Sequence, residues 1–290
     1  MELLHAVDFA RNKEIIPRLL ELAAQYDRLF VVEVSAFDAL VRTLPMDGDT
    51  WMRCALTALQ HGNCEVLVAT LENFNGTEDM QQLVQASCRY GDRRCMKALM
   101  WEGISFPASS LTIACKYGHL EMVNFLLDRG FRDDADNTAF LWSCRSGHAE
   151  IAELLVNRSQ VDDVNVGDGL ALRYACINGH NGIVQVLLRV GAVQHWHGHH
   201  ALYCSIRNGY TDVVDTLVRA DTSLDLNTLA LYDIDTDESC SAIALCLHMN
   251  DVLMLEYLLG IGCCVPAHIR ALVTDEHEEM VAVLQRFGHD

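Results

Sequence analysis

Apolar and small residues return along this chain in one phrase centred on a glycine. Lys116-Tyr117-Gly118-His119-Leu120-Glu121-Met122-Val123 is echoed by Arg145-Ser146-Gly147-His148-Ala149-Glu150-Ile151-Ala152 and by Ile177-Asn178-Gly179-His180-Asn181-Gly182-Ile183-Val184. Arg207-Asn208-Gly209-Tyr210-Thr211-Asp212-Val213-Val214 repeats it once more. Taken as register marks, Gly62, Gly91, Gly118, Gly147, Gly179 and Gly209 are spaced by 29, 27, 29, 32 and 30 residues. A fixed period of this length identifies a stack of supersecondary units.

The positions around each mark predict the unit. Seven residues before the glycine stand Ala55, Val84, Leu111, Phe140, Leu172 and Leu202; four before it stand Ala58, Ser87, Ala114, Ser143, Ala175 and Ser205. Apolar and small residues on one helical stripe describe a helix packed close to its neighbour. After the glycine, Met122, Val123, Leu126 and Leu127 give a second helix a broad buried face. The glycine suits the first helix's C-terminus, where a left-handed residue reverses the chain. Each unit therefore reads as helix, tight turn, longer helix and loop, and neighbours must stack because neither helix can bury its face alone.

These residues resemble the ankyrin repeat family, whose helix-turn-helix phrase Leu111–Leu127 and Leu172–Leu188 fit best. Leu4-His5 with Glu14–Leu20 fits it with Arg11 at the glycine place, Asn250 marks a further unit and Glu276 a last one. The threonine-proline opening survives only in part, as Thr138-Ala139 and Ser241-Ala242. The resemblance implies an all-α ankyrin-repeat solenoid of about nine helix-turn-helix units with short irregular fingers, one solenoid over residues 1–290. The rhythm breaks twice: residues 25–50 are expected to hold an irregular insertion or degenerate repeat, and residues 221–240 an enlarged acidic loop.

Charge narrows the partner. A net charge of −19 argues against nucleic acid and anionic membrane, both of which need a cationic surface. No secretory signal opens the chain and no apolar run reaches a membrane span; the nearest, Val252–Val265, is interrupted by Glu256. A cytoplasmic or nuclear, reducing compartment is expected, so the 12 cysteines are read as thiols. Cys88, Cys115, Cys144 and Cys176 fall three residues before a glycine mark, as small hydrophobes on an inner face.

Candidate chemistry is sparse. His195, His197, His199 and His200 cluster in six residues and could offer imidazoles to a transition metal, but their register puts them on an exposed finger with only Cys204 to complete a set. No metal site and no cofactor are assigned. Asp233, Asp235 and Asp237 open like a calcium loop, yet Glu238 replaces the required glycine. Asp133-Asp134 and Asp162-Asp163 read as solvated finger charge, and no catalytic residue is assigned.

A cationic strip carries more. Two residues before the marks sit Arg89, Lys116, Arg145 and Arg207, with Tyr90, Tyr117, Asn178, Asn208 and, beside the Asn250 mark, Met249 next to them. In the family's architecture this place lies on the concave face, which makes these nine residues the expected partner-binding set. The alternative is that the cations only favour the helix macrodipole. The function expected is a non-catalytic protein-interaction scaffold that binds another protein through its concave face and fingers, the partner offering an acidic segment. The alternatives are an adaptor subunit of a larger assembly, such as a ubiquitin ligase, and a metal-binding regulator acting through the histidine finger.

Overall fold

A computed structural model describes residues 48–72, 80–134, 136–193, 199–222, 224–233, 238–270 and 278–288. The chain divides into two compact units, Met1–Asp134 and Ala135–Asp290. The first unit's described helices are α1 (Gly48–Gln60), α2 (Cys64–Glu72), α3 (Met80–Tyr90), α4 (Arg93–Trp101), α5 (Ser109–Tyr117) and α6 (Leu120–Asp128). The second unit carries α7 (Thr138–Ser146), α8 (Ala149–Asn157), α9 (Val166–Ile177), α10 (Asn181–Arg189), α11 (His200–Arg207) and α12 (Thr211–Ala220). It continues with β1 (Leu231–Asp233), β2 (Glu238–Cys240), α13 (Ala242–Met249), α14 (Val252–Gly260), α15 (Ala267–Arg270) and α16 (Glu278–Arg286). The repeat fit at Leu4–Leu20, and residues 25–47 of the expected irregular insertion or degenerate repeat, lie outside the described residues.

In each unit the helices stack by kind. In the first, α1 packs on α3 and α3 on α5, while α2 packs on α4 and α4 on α6; in the second, α7, α9, α11 and α13 form one rank and α8, α10, α12 and α14 the other. Burial explains why. Leu111, Phe140 and Leu172 are buried, and the small residues Ala58, Ser87, Ala114, Ser143, Ala175 and Ser205 are wholly enclosed. A larger side chain at those six places would push two first helices apart. The expected longer second helix holds only in some repeats: α12 has ten residues to eight in α11 and α14 nine to eight in α13, whereas α5 and α6, like α7 and α8, have nine each. Glycines or a serine with positive φ, Gly130, Ser159 and Gly191, close the turns that follow α6, α8 and α10.

The joint between the two helices of a repeat is where the repeats interlock. Gly91 has φ +74, and a Cβ there would lie 2.3 Å from the His119 ring of the next repeat. That ring's Nε2 reaches the Arg89 carbonyl at 2.6 Å, and His180 makes the same reach to Arg145 at 3.1 Å in the second unit. A carbonyl only accepts, so each Nε2 carries the proton. Other repeats solve the joint with an acid or amide. Asp92 accepts from the Arg94 and Cys95 amides and caps α4, Asp251 accepts from Met254 and caps α14, and Asn63 accepts from Val66 at the start of α2. An Asn or Asp cap of this kind contributes about 1 kcal/mol.

Residues 221–240 contain more than loop. Leu231 is paired with Cys240 in a short antiparallel hairpin, Leu226 and Leu231 are buried, and β1 lies against α11. Residues 234–237, between the strands, lie outside the described residues.

Candidate protein-interaction face

The expected strip residues are displayed at the ends of first helices, where each glycine stops the helix and leaves the preceding side chains at the edge. In the first unit Arg89 and Tyr90 end α3, and Lys116 and Tyr117 end α5. Tyr90 and Tyr117 are each 40% exposed, well above a core aromatic. The Arg89 guanidinium stands 5.3 Å from the Tyr117 ring centroid and the Lys116 ammonium 5.8 Å, so one tyrosine carries two cations. In the second unit the Arg145 guanidinium lies 5.2 Å from Trp142 and 5.4 Å from Tyr174. Cation–π contacts of this kind hold the arginine's plane while leaving its donors available.

The neighbouring amides do structural work. Asn178 donates through Nδ2 to the Tyr174 carbonyl at 2.8 Å, and Asn208 donates to the Ile177 carbonyl of the preceding repeat at 3.2 Å. Arg207 and Met249 are exposed at the ends of α11 and α13.

Only His199 and His200 of the histidine finger fall among the described residues. His195 and His197 lie outside the described residues. His199 holds φ +64 before α11, and His200, expected to be exposed, is instead buried. As the first residue of α11 it turns inward, with Nε2 3.2 Å from Cys204 Sγ and its ring stacked on Tyr203. Among the described residues no three His, Cys, Asp or Glu side chains are grouped to hold a metal ion. Nor is any described helix long and apolar enough to cross a membrane.

The cysteines follow the glycine ruler inward. Burial pushes the Cys88 thiol up to about 11 and the Cys144 and Cys176 thiols up to about 12. It raises Cys95, Cys115 and Cys246 as well. Such thiols stay protonated at neutral pH and are poor nucleophiles. Cys264 alone of the twelve is exposed.

The second-helix ranks carry a contrast that reading the residues beside the glycines missed. In the second unit the rank is stitched by charge and hydrogen bonds between successive repeats. Arg189 of α10 pairs with Glu153 of α8 at 2.9 Å, Arg286 of α16 with Glu256 of α14, and the Tyr257 hydroxyl donates to Asp215 of α12 at 3.1 Å. In the first unit Arg93 and Lys97 of α4 stand 5.4 and 5.8 Å from the Phe125 ring of α6, and Arg129 stands 4.7 Å from it. Among the described residues none of these three cations pairs with a carboxylate. An open groove of about 670 Å³ runs beside them, from Gly62 and Tyr90 to Arg93, Arg94, Lys97 and Glu121.

Paired helices stacked in ranks, with joints locked by a glycine and the following side chain, define a repeat scaffold. The family model described as ankyrin repeats (3 copies) matches residues 83–168 and 159–230, half of the chain, and the protein belongs to the ankyrin repeat family. Ankyrin repeats generally mediate protein–protein interaction, and the family is typically non-catalytic. A comparison with curated proteins returned no match to the chain.

Proposed function

We propose that this protein is a non-catalytic recognition scaffold that binds a partner protein along the ends of its first helices. The observation that supports this is the cation–aromatic grouping at those helix ends: exposed Arg89 and Tyr117 with half-buried Lys116 in one unit, exposed Arg145 over half-buried Trp142 and Tyr174 in the other. Arginine and large aromatics dominate the energetics of protein interfaces. Arginines stacked on aromatic rings suit carboxylates, so the partner contributes an acidic segment. The pre-ordered joints keep the ordering cost of binding low. Twelve free thiols fit a reducing compartment, the cytosol or nucleus.

The test is quantitative affinity purification with the wild-type chain and with Arg89, Lys116, Arg145 and Arg207 all changed to Glu. The reading expects partners lost from the variant while its helical circular dichroism is unchanged. An identical partner set in both would remove this edge from the function.

A further inference from the structure

We propose that the second-helix rank of the first unit is a separate protein-docking stripe, formed by Arg93, Lys97 and Trp101 of α4 with Phe125 of α6 and Arg129 just past its end, for a short acidic segment carrying one large apolar residue. The three α4 residues stand at i, i+4 and i+8, so one helical face presents all of them. Trp101 is 90% exposed, the most exposed large hydrophobic among the described residues, on a helix whose Cys95, Met96 and Leu99 are fully buried. The opposite face of α4 therefore meets the needs of folding, and the tryptophan adds nothing to the core.

The charges are arranged against the helix. Arg93 and Lys97 are like charges one turn apart near the helix's positive N-terminal end, where the single carboxylate of the Asp92 N-cap faces Arg93, Arg94 and Lys97. Arg94 is accommodated by Asp92 at 3.4 Å and by the Gly62 carbonyl at 3.1 Å, whereas Arg93, Lys97 and Arg129 gather on the Phe125 ring, with Arg129 also reaching Met100 Sδ at 3.6 Å. Glu121 is the carboxylate that remains in the adjoining groove. A local arrangement that opposes the stability of its own element is the kind of departure expected at a functional site.

Register strengthens the point. Six residues past the joint mark the second unit has Glu153, Gln185, Asp215 and Glu256, and each of the three acids finds a partner on an adjacent repeat; at the same place the first unit has Val68, Lys97 and Asn124, with no acid. Residues 80–134 hold seven Lys and Arg against six Asp and Glu, a net of +1 in a chain of −19. Charge complementarity thus assigns an acidic occupant, and the exposed indole assigns the apolar residue that sits between its acids. The surrounding negative charge favours a short segment over a broad acidic surface, because repulsion beyond about 8 Å is screened while close contact is not.

The experiment is a selection of short random peptides displayed on phage against the full chain, then anisotropy titration of the recovered peptides. Acidic peptides with an aromatic or leucine are expected, with binding weakened about tenfold or more by Arg93→Glu with Lys97→Glu and also by Trp101→Ala. The neutral pair Arg93→Gln with Lys97→Gln should weaken it by an intermediate factor, with an unchanged circular dichroism spectrum. Arg89→Glu with Lys116→Glu, on the first-helix edge, should leave these peptides bound, which separates this stripe from the function proposed above. Recovery of no peptide, or of peptides without acids, overturns the proposal. So does loss of binding only in the Arg89 and Lys116 variant, or a single-stranded oligonucleotide that binds the stripe more tightly than the peptides.

Discussion

The second-helix ranks of the two units are built alike and charged differently. Both bury the same kind of face: Cys95, Met96 and Leu99 in α4, Val123 and Leu126 in α6, Ile151, Ala152 and Leu155 in α8, Val184 and Leu187 in α10. Outside that face, the second unit pairs Glu153 with Arg189 and Glu256 with Arg286, whereas the first gathers Arg93, Lys97 and Arg129 about Phe125. Exposed ion pairs contribute at most about 1 kcal/mol each, against about 1.5–3 kcal/mol for burying one Leu or Met side chain. The rank therefore stands on its apolar face in both units. Its outer charges are left for recognition.

The largest expected effect tests the shared half of that comparison, and it comes from the thiols. A thiol held well above its usual 9.0 keeps a proton that the unfolded chain releases, so its contribution is fully present below about pH 9 and is lost as pH rises through the folded value. Cys88 in the first unit and Cys144 and Cys176 in the second each cost up to about 1.4 kcal/mol per pH unit above that point. Urea midpoints measured under reductant should fall steeply between pH 9 and 11. A flat profile would mean that the inner faces are wetter than the structure has them.

Next in size are the joints. Gly91→Ala places a side chain at φ +74 and drives its Cβ to 2.3 Å from the His119 ring; Gly103→Ala meets the same backbone strain at φ +76 in open space. The left-handed backbone alone costs about 1–2 kcal/mol and overpacking typically adds about 1–3 kcal/mol. Denaturant titration should thus rank Gly91→Ala near 3 kcal/mol and Gly103→Ala near 1 kcal/mol, both ~ values from those terms. Gly147→Ala, whose Cβ would meet His180 at 2.9 Å, should match Gly91→Ala in the second unit. Equal losses at Gly91 and Gly103 would show that backbone strain, and not the interlocked ring, makes the glycine necessary.

This glycine is also why so much of the fold was legible in the sequence. A left-handed residue, a small residue four before it and a buried cysteine three before it leave little chemical choice, so Ala114, Cys115 and Gly118 can be read in one dimension. Asn250 takes the glycine's place with φ +53, which its short polar side chain tolerates. The surface was legible only beside the ruler. Arg89 with Tyr117 and Arg145 with Trp142 lie next to the marks, and their stacking was within reach of the pattern. The cluster at Phe125 joins residues 93, 97 and 129, a contact between helices whose relative rotation no local pattern states. The available signal was the place six after the marks, which reads Val68, Lys97 and Asn124 in the first unit but Glu153, Gln185, Asp215 and Glu256 in the second. His200 was misread for a related reason: a histidine counted as part of a polar finger is the first inward residue of α11.

The smallest expected effect is the sharpest test of the contrast between the ranks. Lys97→Glu gives the first unit the acid that the second unit carries at Glu153, Asp215 and Glu256. It removes a like-charge pair with Arg93 and sets a carboxylate near Arg93 and Arg129, which should stabilise the protein by roughly 0.5 kcal/mol, or about 1–2 °C in the melting temperature. Loss of the lysine's stem over Phe125 acts in the other direction, but on an exposed side chain it recovers less than the charge term. A scanning calorimetry trace that moves upward, together with weaker binding of acidic peptides, would place stability and recognition on opposite sides of one residue. A downward shift would show that Lys97 is retained for packing, and the outer charges of the two ranks would then differ for no reason connected with a partner.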